Sequence, residues 1–339
     1  MEKIVTFGEI MMRLSTQNYE PIHQSRTYDA RYGGGEANVA VALSHMGHET
    51  YFMSKLPPNQ LGDGAIKHLR SHGVNTEYIA RGSTTLGIYF LESGFGGRPS
   101  KVIYNRKHSA ITRIKKEEFN FDEIFKDATW FHISGITLAL NENTFNLALE
   151  AMKYAKKHGV TVSFDFNYRA TLWELEKAIP AYRAVLQYID VCFGSFFDIN
   201  TIAGITIDKK DEKLSMHEKR EKVFRNFQEK YDVKYLFGTD RIVYTANENS
   251  LAGYYYSKTN SNVTDPIRFT IFDRIGGGDA YASGVIHGLL KDYENPEYAV
   301  KFGLNTSVLK HTIYGDAFVL SEDDIEEFMK ANGSAEVRR

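Results

Sequence analysis

The chain has 339 residues, 42% of them hydrophobic and 25% charged, a balance that supports a large buried core and excludes a disordered chain. Lys plus Arg number 41 against 43 Asp plus Glu, so the molecule carries no global basic surface for nucleic acid, and any anionic ligand has to be met by a local cluster. A single cysteine, Cys192, excludes an internal disulfide and a cysteine-built zinc site; its ordinary reading is a buried apolar side chain.

The amino terminus runs directly into a strand-like segment, Ile4 to Phe7, with no basic start leading into a long apolar stretch. No apolar run reaches membrane-spanning length, so the expectation is a cytoplasmic protein without a membrane partner. Gly33, Gly34 and Gly35 then open a helix-period stretch from Ala37 to Met46, with a tight turn as the plainer reading of the glycines. His68 and His72 have helical spacing, but Leu69 follows the first histidine where a zinc protease motif needs glutamate, which favours a solvated helix face. From Thr85 to Tyr104 two alternating apolar runs flank a glycine-rich turn and predict a β-hairpin. With the segment from about Met12 to Tyr32 it forms a small sheet outside the main one, giving lid segments at about 12–32 and 85–110. The exposed edge of such a lid suits pairing with a second subunit, so a homodimer through the lid is expected.

Further strands are predicted at Trp130 to Ile133, Val160 to Phe164, Val191 to Phe193 and Lys234 to Phe237, with helices at Glu142 to Lys157 and Glu218 to Lys230. The charge-dense stretch Asp208 to Arg220 reads as a solvated face. Alternating strands and helices imply an α/β fold: a mostly parallel central sheet with helices on both faces, binding ligands at the carboxyl ends of its strands. Residues 1–330 form this domain, the lid segments are inserted in it, and 331–339 are a tail.

The strongest local signal is Asp273-Arg274-Ile275-Gly276-Gly277-Gly278-Asp279, leading into an apolar helix that runs to about Leu290. Gly276, Gly277 and Gly278 let the backbone approach a ligand and aim several N–H groups at one point, an anion hole for a transferring phosphoryl group. Asp279 is placed to accept the proton of an attacking hydroxyl, although a helix cap alone would also account for it. No Gly-Lys-Ser/Thr follows, which excludes a Walker loop; the first strand lacks a dinucleotide fingerprint, and no Gly-x-Ser-x-Gly elbow occurs. Arg106, in Tyr104-Asn105-Arg106, and Arg169, in Asp165-Phe166-Asn167-Tyr168-Arg169, suit a carboxylate, which guanidinium groups recognise through paired hydrogen bonds; a surface salt bridge is the competing reading of each.

Gly33, Gly34 and Asn38 match one signature of the ribokinase-like (PfkB) carbohydrate kinases, and Asp273, Gly276, Gly278 and Asp279 match the other, in the family's order and separation. Over nearly its whole length the chain resembles that family, and Tyr-x-Arg-x-x-Ser-Ala with Asp-x-Asn-x-Arg-x-x-Leu-Trp looks like its 2-keto-3-deoxygluconate kinase subgroup. The resemblance implies a ribokinase-like fold and transfer of the ATP γ-phosphate to the terminal hydroxyl of an acidic keto-sugar. It implies Asp279 as the base and Gly34, Asn38, Tyr89, Tyr104, Arg106, Ile136, Arg169 and Asp316 as substrate contacts. ATP would meet Asn167, Arg169, Ser195, Gly238, Gly276, Gly278 and Asn305. Magnesium would be held near Asp198, through water, and the family leaves room for a monovalent cation.

Two stretches depart from the family pattern. Ser195-Phe196-Phe197-Asp198 stands where Asn-x-x-Glu is usual, and Phe237-Gly238-Thr239-Asp240-Arg241 where Lys-x-Gly-x-x-Gly is usual. They predict altered nucleotide contacts. Two other readings compete: a kinase for fructose or another related sugar, and a non-catalytic sugar-acid sensor on the same fold.

Overall fold

The computed structural model describes residues 2–208 and 211–331, so of the expected tail only Ala331 lies within it. The strands in chain order are β1 (Lys3–Phe7), β2 (Met11–Thr16), β3 (Tyr28–Gly33), β4 (Glu49–Leu56), β5 (Ile79–Arg81), β6 (Ile88–Glu92) and β7 (Lys101–Asn105). After them come β8 (Ala128–Ser134), β9 (Thr161–Asp165), β10 (Val191–Phe193), β11 (Tyr235–Val243), β12 (Glu248–Ser257), β13 (Ser261–Val263) and β14 (Ile267–Thr270).

Ten of these strands make one sheet in the order β13-β12-β11-β10-β9-β8-β1-β4-β5, with β14 also beside β12. Every neighbouring pair from β11 to β5 is parallel, and β12 pairs antiparallel with β11, β13 and β14. Both faces are buried, as the unbroken apolar runs require. Along β1, Ile4 joins a core with Trp130, Val191 and Phe237, while Val5 and Phe7 join the opposite core with Phe131, Phe164 and Cys192. The α/β architecture read from the sequence is the one observed.

β4, β5 and β12 to β14 were not among the expected strands, and one expected strand differs in extent. The strand beginning near Lys234 does not stop at Phe237 but continues to Val243, because the chain turns straight back as β12 and the two pair from Tyr235↔Ser257 to Val243↔Asn249. Polar residues in its outer half hid this hairpin from a reading based on apolar runs.

The second sheet has the order β3-β2-β6-β7, with β2 and β6 parallel and the outer pairs antiparallel. It stands over the carboxyl ends of β1, β8 and β9, where the chain leaves the main sheet through Glu9, Ile136 and Asn167. The glycine-loop helix spans Gly277–Lys291 and is entered through Gly276, whose φ of 81° is left-handed. A Cβ at Gly276 would lie 1.7 Å from the Asp316 carbonyl oxygen, so this position requires glycine on both counts.

Candidate active site

A cavity of about 360 Å³ and another of about 570 Å³ open at the carboxyl edge of the main sheet, and they share Asp165, Asn167, Arg169 and Gly278. The larger is walled by the small sheet through Tyr89, Tyr104 and Arg106, and floored by Gly34, Asn38, Ile136, Asp279 and Asp316. The smaller lies over β10 and β11 and is lined by Ser195, Asp198 and Gly238. Residues from distant parts of the chain are thus gathered into two adjoining spaces. Asn305 is not brought to either lining: it lies on the helix Pro296–Lys310 and its amide donates to the Lys301 carbonyl at 2.8 Å.

Asp279 sits in the first turn of the glycine-loop helix, beside the junction. Asn38 Nδ2 donates to its Oδ2 at 2.7 Å, and Asn38 is itself held by the Gly34 N–H, which donates to Asn38 Oδ1 at 3.3 Å. The two glycine motifs therefore meet through one amide. Burial raises the Asp279 carboxyl to about 6 against the Asn38 hydrogen bond, with Glu36 and Asp316 adding to the rise and Arg169 opposing it. Such a carboxylate is more basic than an exposed one and still ionised at neutral pH.

Asp165, the last residue of β9, was not singled out from the sequence, yet it lines both cavities. Burial, then the charge of Asp279, lifts it to about 8. Its side chain makes no hydrogen bond among the described residues. Its signals were the strand-end position and its place as the first residue of the Asp-x-Asn-x-Arg-x-x-Leu-Trp motif. Asp198 lies across the smaller cavity and is tied to its own turn: Ser195 N and Oγ donate to Asp198 Oδ2 at 2.7 and 2.6 Å. Ser195 and Asp198 thus form a reciprocal cap where the family usually has an amide and a glutamate. Among the described residues no cluster of three or more acidic, histidine or cysteine side chains forms a metal cage. The two acidic side chains Asp165 and Asp198 on the smaller cavity fit magnesium, which keeps most of its water and takes few protein ligands.

The other departure also has a physical account. Asp240 accepts paired hydrogen bonds from Arg220 at 2.6 and 2.7 Å, while Arg241 turns away to His311, so the two charges do not neutralise each other. Gly238 remains because a Cβ there would lie 2.3 Å from the Tyr254 hydroxyl, and its carbonyl accepts from Tyr281 at 2.8 Å.

Arg13, also unremarked in the sequence, is fully buried on β2. Its guanidinium donates to Asp273 at 2.6 Å, Asp316 at 2.8 Å and Ser15 at 2.6 Å, while Tyr89 on β6 donates to the other oxygen of Asp316. Burial alone would lower the guanidinium pKa, but Asp316 and Asp273 outweigh it and hold the group above its ordinary value. Asp273 in turn accepts from Ile275 N at 3.1 Å and Gly315 N at 2.9 Å. The first aspartate of the second signature is therefore the peg that fixes the glycine loop to the small sheet.

Arg106 is buried against Glu9, with Nε donating to Glu9 Oε2 at 2.7 Å, and its guanidinium lies 5.6 Å from the Tyr104 ring centre. Glu9 Oε1 is buried without a partner among the described residues.

Residues 1–323 match the family described as pfkB family carbohydrate kinase. The chain belongs to that family. As a PfkB carbohydrate kinase it is a phosphotransferase acting on a sugar hydroxyl. The 2-dehydro-3-deoxygalactonokinase of Haloferax volcanii is 32% identical to it, with 99% of each chain covered. The crystal structure of 2-dehydro-3-deoxygluconokinase from Thermotoga maritima superimposes with a TM-score of 0.91 at 41% identity, covering 97% of this kinase and 98% of that chain. A 5-dehydro-2-deoxygluconokinase from Clostridium tetani is 26% identical over 91% of this kinase and 87% of its own length.

Proposed function

We propose that this PfkB kinase transfers the γ-phosphate of ATP to the terminal hydroxyl of 2-keto-3-deoxygluconate or a close acidic keto-sugar. The observation that carries the reading is Asp279, held by Asn38 at the helix entrance where a sugar-sized cavity joins a second, nucleotide-side cavity. All three relatives act on keto-deoxy sugars by name.

In this reaction the sugar hydroxyl gives its proton to the Asp279 carboxylate as its oxygen forms a bond to the γ-phosphorus. The bond from that phosphorus to the β,γ-bridging oxygen breaks, and ADP carries away the electron pair. N–H groups of Gly276 to Gly278 and the helix N-terminus meet the charge on the transferring group. Magnesium would lessen the phosphate charge, held through water by Asp198 and Asp165. Asn167, Arg169, Ser195 and Gly238 border the nucleotide. Tyr89, Tyr104, Ile136 and Asp316 shape the sugar end, Arg106 supports the acid group, and the free Glu9 oxygen accepts a sugar hydroxyl. The small sheet serves as the lid and as the contact between two subunits.

The test is ADP release with magnesium and ATP, comparing 2-keto-3-deoxygluconate, its galacto epimer, fructose and ribose. Selective turnover of a keto-acid is expected. Equal use of fructose would remove the substrate assignment, and tight acid binding without turnover would turn the reading to a sensor.

A further inference from the structure

The larger cavity is lined by three arginines that are not equivalent. Arg106 is committed to Glu9. Arg169 belongs equally to the nucleotide-side cavity. Arg274 is exposed, lines only the sugar side of the pair, and makes no side-chain hydrogen bond or ion pair among the described residues.

The backbone that carries Arg274 is nevertheless fixed. Asp273 Oδ1 accepts from Ile275 N across it, and Arg13 and Gly315 N hold the other oxygen of Asp273. Arg241 is lowered to about 10, first by burial and then by Arg274. Its partner His311 is neutral: Nδ1 faces the Ser307 carbonyl at 2.6 Å and so carries the proton, leaving Nε2 to accept from Arg241 at 3.3 Å. Neither Arg241 nor Arg274 has a carboxylate bonded to it among the described residues. An acidic ligand entering a cavity also walled by Glu9, Asp165, Asp279 and Asp316 needs an uncommitted cation, and Arg274 supplies it.

We propose that Arg274 is a specificity-determining residue whose guanidinium receives the carboxylate of the sugar acid. The assignment rests on the acidic-sugar reading above. Arg274→Gln and Arg274→Lys would be compared with the unaltered kinase for KM of the keto-acid, KM of ATP, kcat and melting temperature. Loss of a charge-assisted hydrogen bond raises the acid KM about tenfold or more in Arg274→Gln, with a smaller rise in Arg274→Lys. The ATP KM and the melting temperature stay near those of the unaltered kinase. An acid-selective kinase whose Arg274→Gln variant keeps its acid KM would overturn the assignment alone. So would a change confined to kcat and the ATP KM, which puts the arginine on the phosphoryl group. Turnover of neutral sugars only, by the unaltered kinase, would sink the substrate reading and this assignment together.

Discussion

Asp279 is costly to keep charged in this setting, and that cost suits it to the role of base proposed for it. With its carboxyl raised to about 6, kcat/KM should fall about tenfold per pH unit below that value as the base becomes protonated. Asp279→Asn should lower kcat by about 10² or more while melting at a higher temperature at pH 7. The sign follows from linkage: the folded pKa lies above the unfolded one, so the native carboxylate is a liability above about 6 and none below about 4. The stabilisation of Asp279→Asn should therefore vanish as pH falls through that window, which melting curves at pH 4 and 7 would test. Asp279 and its glycines were legible in the sequence because their chemistry is local, one loop entering one helix. Arg13 was not: its partners Asp273 and Asp316 lie 260 and 303 residues away, and one arginine in an alternating strand carries no mark of that.

At the scale of elements, the buried arginine makes β2 and the glycine loop a single unit. Arg13→Met leaves two carboxylates buried without their cation, and removing one partner from such a pair costs about 3–5 kcal/mol. Chemical denaturation should register that loss, and Arg13→Lys should recover part of it because a single ammonium cannot serve both acids in the forked geometry. If Arg13→Met unfolds with ordinary stability, the network is not what fixes the loop. The same contrast between local and distant partners accounts for the rest of the fold. The parallel strands β1, β8, β9, β10 and the start of β11 could be read from unbroken apolar runs, and the β6–β7 hairpin from its glycines, whereas β4 and β5 were not singled out. The outer half of β11 and the whole of β12 were not read as strands; in β11, Gly238 to Arg241 break the apolar run, and their strand character comes from pairing with β12. Ser195 and Asp198 looked like a weakened metal motif in sequence; in the fold they are first a cap that holds their own turn.

At the scale of the whole molecule, the small sheet ends in β7, a strand paired with β6 on one side and with no strand on its outer edge among the described residues. All of β7 is exposed, and because Val102 and Tyr104 line the cavity, Ile103, 54% exposed, turns to the outer face. A dimer through this face predicts that Ile103→Glu shifts the sedimenting species from two chains to one; an unchanged mass would place any subunit contact elsewhere.

The two cavities share Asp165, Asn167, Arg169 and Gly278, so in the proposed function a ligand in one changes the electrostatic surroundings of the other. Equilibrium reciprocity then applies: whatever factor the nucleotide imposes on sugar affinity, the sugar must impose on nucleotide affinity. On the proposed assignment of one substrate to each cavity, this common wall of four residues predicts that the occupancy of one half depends on the concentration of both metabolites.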